Sequence, residues 1–340
     1  MMRRGVLGVA AFGAVLLVAF VAATVRTNRA LGERLVKDVV TLTTHREKLP
    51  RPDGAPAAHR VNGLGCFANS LRLAPATVTR TLDDDLGLEP FASGVHPLSQ
   101  LPESSRMGFF ALAPWLEGVL SCADASEVQV PDELAPWNDA NVWLPVARLA
   151  MRHAALDVRM RLSQSETALA LEVCTQAVEF EAMLSHLGAP GVAASEQGLR
   201  LLVPLCIESW NKASLRERDH VAARWLLLDG WLASDERVID SERIGLSLML
   251  FRSLASSRSR EQLPIHYLGS EPSSLRERLL LMRVWAPLDA KLRRVASRTP
   301  GPELPWWADD VLTVDPADVL VRTAGLHAQL GTLRELTSQR

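Results

Sequence analysis

Along the middle of the chain, apolar positions fall three and four apart, the spacing of one helix face. Phe109, Leu112, Leu116 and Val119 share a face of a helix ending near Cys122. Val142, Val146, Leu149, His153, Leu156 and Met160 then repeat at 4-3-4-3-4 spacing. Beside them Ala147, Ala150 and Ala154 form a strip small enough for another helix to approach closely. A third stripe runs through Leu169, Val173, Ala177, Phe180, Leu184 and Leu187. Ser163-Gln-Ser-Glu166 reads as the capping box that opens this third helix, and Gly188 as its stop. The small-residue stretch 188–196 predicts a short connection to an antiparallel helix over about 198–212. Near the end, Asp315-Pro316-Ala-Asp318 opens a helix whose buried face is Val319, Thr323, Leu326, Leu330 and Leu333. No period-two alternation marks a strand, so the fold class expected is all-α. Residues 63–107, with Asp83-Asp84-Asp85 and several prolines, are expected to form short helices and loops.

A sequence repeat overlies this pattern. Ser214-Leu-Arg-Glu-Arg218 returns as Ser274-Leu-Arg-Glu-Arg278, and at the same offset Pro204, Trp225, Leu228, Asp229 and Leu232 match Pro264, Trp285, Leu288, Asp289 and Leu292. Each copy carries a Ser-x-x-Glu capping box. Trp and Leu three apart are explained by packing, whereas the repeated Asp has no such account. The two copies, 204–232 and 264–292, predict duplicated helical hairpins in a solenoid-like domain or an extended bundle.

Upstream the pattern changes from periodic to continuous. After Met1-Met2-Arg3-Arg4, the stretch from Gly5 to Val25 is uncharged. As a helix it spans about 30 Å, the thickness of a bilayer's hydrocarbon core, and it exceeds the ~7–15 apolar residues of a cleaved signal. An uncleaved transmembrane signal anchor over 1–26 is the expectation; the rival is cleavage after Val21-Ala22-Ala23. Leu35, Val39, Leu42 and Leu49 place a juxtamembrane helix over 27–49, with Arg46 at the missing heptad position. Residues 50–62, rich in Pro, Gly and Ala, read as a linker, and 63–340 as the helical domain.

Composition narrows the function. The chain has 340 residues, 48% hydrophobic and 22% charged, with a net charge of −2, so it can build a large core and lacks the basic face that nucleic acid requires. Its basic residues are nearly all Arg, with Lys only at 37, 48, 212 and 291, a bias of GC-rich bacterial genomes. Cys66, Cys122, Cys174 and Cys206 lack CxxC spacing, which removes zinc-ribbon and thioredoxin-type readings. They either pair as two disulfides in an oxidising compartment or serve as small buried residues.

No nucleophile elbow, P-loop, Rossmann glycine pattern or HExxH is present, so no catalytic residue, metal or cofactor is assigned. Asp83-Asp84-Asp85 lacks calcium-loop spacing and reads as a solvated or helix-terminal cluster. His153 lies within an apolar stripe and reads as a core histidine, with a pH switch as the alternative. The best binding patch is Trp306-Trp307 with Asp309 and Asp310, aromatic rings beside carboxylates.

The functional expectation is a single-pass protein of the bacterial inner membrane. Its extracytoplasmic body would act as a binding or scaffolding module for a protein partner. The alternatives are an enzyme using Asp229 and Asp289 in a groove between the hairpins, and a structural component that self-associates through Leu35 and Leu42.

Overall fold

Every residue from 177 to 184 is buried, so this stretch of helix has no solvent face at all. The architecture follows from that. In a computed structural model describing residues 13–23, 26, 30, 49–50, 62–75, 87–134, 143–242 and 316–338, this helix is the centre of the body. The described elements are β1 (Leu49–Pro50), α1 (Gly63–Arg72), α2 (Glu89–Ala92), α3 (Glu103–Leu120), β2 (Glu127–Val128), α4 (Trp143–Ser163), α5 (Thr167–Leu184), α6 (Gly188–Lys212), α7 (Leu215–Leu226) and α8 (Pro316–Ser338). The protein is mostly helical, as expected from the periodicity. β1 and β2 form a two-residue antiparallel ladder, Leu49 opposite Val128.

The central α5 packs against α4 and α6, α3 and α1 cover one side, α7 covers another, and α8 packs on α6 and α7. Phe67 of α1 meets Phe180 of α5 edge-on at 5.1 Å. Cys66 of α1 is disulfide-bonded to Cys122 in the turn after α3, with Cα atoms 5.5 Å apart. Cys174 of α5 is bonded to Cys206 of α6, with Cα atoms 5.6 Å apart. All four cysteines are therefore paired. On α8, Val319, Thr323, Leu326, Leu330 and Leu333 are all buried against α6 and α7, as their spacing predicts.

Two local expectations are overturned. Ser163 does not open α5; it is the last residue of α4, and its hydroxyl donates to the Met160 carbonyl at 2.6 Å. The break comes from Ser165, in the left-handed region at φ 63°, and α5 starts at Thr167 without a side-chain cap. The connection at 188–196 does not exist as a loop. A short turn, Ser185–Leu187, ends at Gly188, whose φ of 76° suits glycine, and α6 begins there. Gly191 lies inside α6 because a Cβ there would strike the Leu184 carbonyl; the small residues serve a close helix crossing.

The first repeat copy is explained by packing. Ser214 caps α7: its hydroxyl accepts from the Glu217 amide (3.4 Å), and the Glu217 carboxylate accepts from the Ser214 amide (2.6 Å). Trp225 is buried, stacks on Trp210 at 5.1 Å, and donates to Thr175 Oγ1 at 3.1 Å. Ser214→Ala should cost about 1 kcal/mol in a urea melt and Ser214→Gly only a few tenths, the signature of a lost cap. The second copy, 264–292, lies outside the described residues.

Of the apolar N-terminal segment, residues 13–23 are described; they are helical and all exposed. Among the described residues, no helix is long and apolar enough to cross a membrane.

Candidate functional site

A helix buried on all sides should carry no charge, yet α5 carries Glu179 and Glu181, both buried. Two residues apart, they point to opposite sides of the helix. Glu179 is fully compensated. Arg224 of α7 donates Nε and Nη2 to its two oxygens (2.8 and 2.6 Å), and Nη1 to Glu172, two turns earlier on α5 (2.6 Å). Burial works against the Arg224 charge, but the hydrogen bonds and attraction of Glu179 and Glu172 outweigh it and push its pKa up. This is a clamp between α5 and α7.

Glu181 has no such partner. Its side chain is buried against α6 at Gly198, where a Cβ would collide with Oε1, so only glycine leaves it room. Oε2 is buried without a hydrogen-bond partner. Desolvation raises its pKa well above the ordinary carboxylate value, only partly offset by the nearby Ser195 hydroxyl, which donates to the Glu181 main-chain carbonyl at 2.6 Å. Burial therefore favours the neutral acid, which can donate as well as accept.

This carboxyl lines a cleft of about 230 Å³ between α4, α5 and α6. One wall is Ala147 and Met151, one turn apart on α4; the facing wall is Ala194, Gly198 and Leu201 of α6. The gap exists because the facing residues are small. The rim is polar, with exposed Arg148, Gln197 and Arg200, half-buried Arg152, and Glu89 from α2. Arg152 pairs with Glu89 at 3.2 Å and Arg200 with Glu196 at 2.5 Å. Arg148 has no ion pair among the described residues. No group of three or more His, Cys, Asp or Glu suited to a metal occurs among the described residues.

Compared with protein-family models, curated proteins and solved structures, the chain matches none.

The residues singled out in the sequence fall differently. Trp306, Trp307, Asp309 and Asp310 lie outside the described residues, as do Asp83-Asp84-Asp85 and Asp289. Asp229 now has an account. It accepts from Arg334 of α8, and His327 Nδ1 lies 3.5 Å from it, so it latches the C-terminal helix to the end of α7. A second latch joins α8 to α6, where Arg322 bridges Glu196 (2.7 Å) and Asp318 (2.8 Å).

His153 is a core residue, stacked on Phe109 of α3 at 4.2 Å, but both ring nitrogens lack partners, which a satisfied core histidine would not show. Desolvation lowers its pKa from 6.5 to about 4. His186, in the turn before α6, is lowered to about 4 by burial and by Arg237, although its Nε2 donates to the Trp231 carbonyl at 2.7 Å. Both stay neutral in the fold while the unfolded chain takes up protons below 6.5. The stability they confer is present above 6.5 and lost as pH falls towards 4, by up to about 3 kcal/mol each. Melting temperature should therefore fall more steeply between pH 6.5 and 4 in the wild type than in His153→Leu. Equal slopes would show that His153 does not stay neutral.

Proposed function

We propose that this chain is a membrane-tethered binding module whose helical body lies on the extracytoplasmic side of a bacterial inner membrane. The observation that supports this reading best is the pairing of all four cysteines into two disulfides that staple helices of the core. Such bonds persist in oxidising compartments and are reduced in the cytosol. The uncharged stretch 5–25, long enough for a bilayer as a helix, supplies the tether; Arg3 and Arg4 flank one end and Arg26, Arg29, Arg34 and Lys37 the other, so the orientation rests on the disulfides and not on charge. Binding is favoured over catalysis because Asp229, one of the two carboxylates singled out for an enzyme, is occupied in holding α8.

The test is to alkylate intact cells before and after reduction and count modified cysteines by mass spectrometry, alongside a C-terminal reporter active only in the periplasm. Blocked thiols before reduction, with an active reporter, are the expected result. Free thiols with a silent reporter would place the body in the cytoplasm and end the proposal.

A further inference from the structure

The Glu181 cleft combines a void, an unsatisfied buried acid and an uncompensated cation, and these three define a ligand. The charged groups facing it are Glu89 from α2, Arg148 and Arg152 from α4, and Arg200 from α6. Among the described residues, Glu89 pairs with Arg152 and Glu196 with Arg200 and Arg322, which leaves Arg148 as the cation at the mouth without an ion pair. A guanidinium there selects one carboxylate or similar planar anion. Below it the walls are methyl, thioether and isobutyl groups of Ala147, Ala194, Met151 and Leu201, which suit an apolar body. At the floor, Glu181 Oε2 still needs a hydrogen bond. The volume sets the size. A cavity of about 150 Å³ takes benzene, so about 230 Å³ takes roughly nine or ten non-hydrogen atoms.

We propose that this cleft binds a small organic monoanion with a compact apolar or aromatic body, its acid group on Arg148 and a hydroxyl or carbonyl at its far end on Glu181. A ring carrying a carboxylate and a para hydroxyl meets all three requirements. The inference deepens the binding-module reading but is independent of compartment and tether, because it concerns only the folded body.

Titration calorimetry on the full-length chain in nanodiscs, with 4-hydroxybenzoate, benzoate and tyramine as probes, tests it. The expected order is 4-hydroxybenzoate tightest, benzoate about fivefold weaker for want of the hydroxyl, and tyramine not binding. Arg148 is exposed, so Arg148→Ala should melt like the wild type and bind at least about tenfold more weakly. Raising the pH until Glu181 ionises should expel the anion from the wild type. Glu181→Gln, neutral at every pH and of the same shape, should bind with no such dependence. Tyramine binding as tightly as 4-hydroxybenzoate would mean an ionised Glu181 holding a cation and would overturn the proposal. So would unchanged affinity in Arg148→Ala, or no heat from any probe at millimolar concentration. A failure of the thiol and reporter experiment would leave these results untouched, so the two readings fail separately.

Discussion

Arg224→Ala is expected to lose about 3–5 kcal/mol of stability, because it leaves Glu179 buried in the central helix without a cation. The Arg224 side chain is 13% exposed and that of Glu179 6%, so neither charge can be handed back to water without opening the α5–α7 interface. In a thermal melt this corresponds to a fall of roughly 10 °C or more for a body of this size. The cost comes from the orphaned charge and not from the pair itself. Glu179→Gln in the Arg224→Ala background should therefore recover part of the loss, and Glu179→Leu with Arg224→Met most of it. Arg224→Lys should not restore the wild type, since a single ammonium cannot engage Glu179 through two nitrogens while reaching Glu172. If the double variants melt no higher than Arg224→Ala, the clamp is not the source of the loss.

Removing the disulfides should have an effect of similar size for each bridge. The bonds close loops with sequence separations of 56 and 32 residues, and in the chain-entropy picture each contributes about 4 kcal/mol by restricting the unfolded state. Together they rival the ~5–15 kcal/mol total stability of an ordinary domain. The doubly reduced chain should then be unfolded or marginal at 37 °C, while Cys174→Ala with Cys206→Ala should remain folded with a lowered melting temperature. The two bridges should also reduce in order. Cys66 is only half-buried, whereas Cys174 and Cys206 are both wholly inside the core, so a mild reductant should open Cys66–Cys122 first. Mass spectrometry of alkylated intermediates checks this; simultaneous opening would contradict the burial argument.

The parts of the fold legible in the sequence are those where one face of a helix is buried and the other is wet. The stripes of α3, α4 and α8 fall into that class: their described apolar positions are buried as spaced, except Met160 at the end of α4, which is half-buried, and Val142, which lies outside the described residues. The stripe assigned to α5 is less accurate at its start, where Leu169 is 50% exposed and Ala170, Leu171 and Cys174 face inward instead. Glycine misled the reading at 188–196, because a helix that crosses another at backbone contact needs the same small residues as a turn. Gly191 and Gly198 belong to the crossing. Ser163 and Glu166 carry the spacing of a capping box, but the chain reverses at Ser165 before the box can form.

The site was not legible for a related reason. Glu179 and Glu181 sit among apolar residues in 177–184, and a polar position in an amphipathic pattern is normally assigned to solvent. A signal was present, since the residues between and beside them leave no polar face for those glutamates to occupy. What the sequence could not supply was the partner of each. Arg224 and Gly198 lie 45 and 17 positions from the glutamates they meet, and no local pattern links them. The same holds for Asp229, conspicuous as a repeated residue and explained only once Arg334 of α8 was placed beside it.

The docking of α8 has a topological consequence. Glu242, whose carboxylate accepts from the Ala189 amide at the start of α6 (2.8 Å), and α8, latched to α6 and α7, belong to one body. The chain on either side of residues 243–315 is therefore held to the same body. The second repeat copy and the Trp306-Trp307 pair fall within that stretch. Both disulfides lie before residue 207, so a single cut anywhere between residues 242 and 316 would leave α8 held by packing and ion pairs alone. It would then become an exchangeable subunit of its own protein.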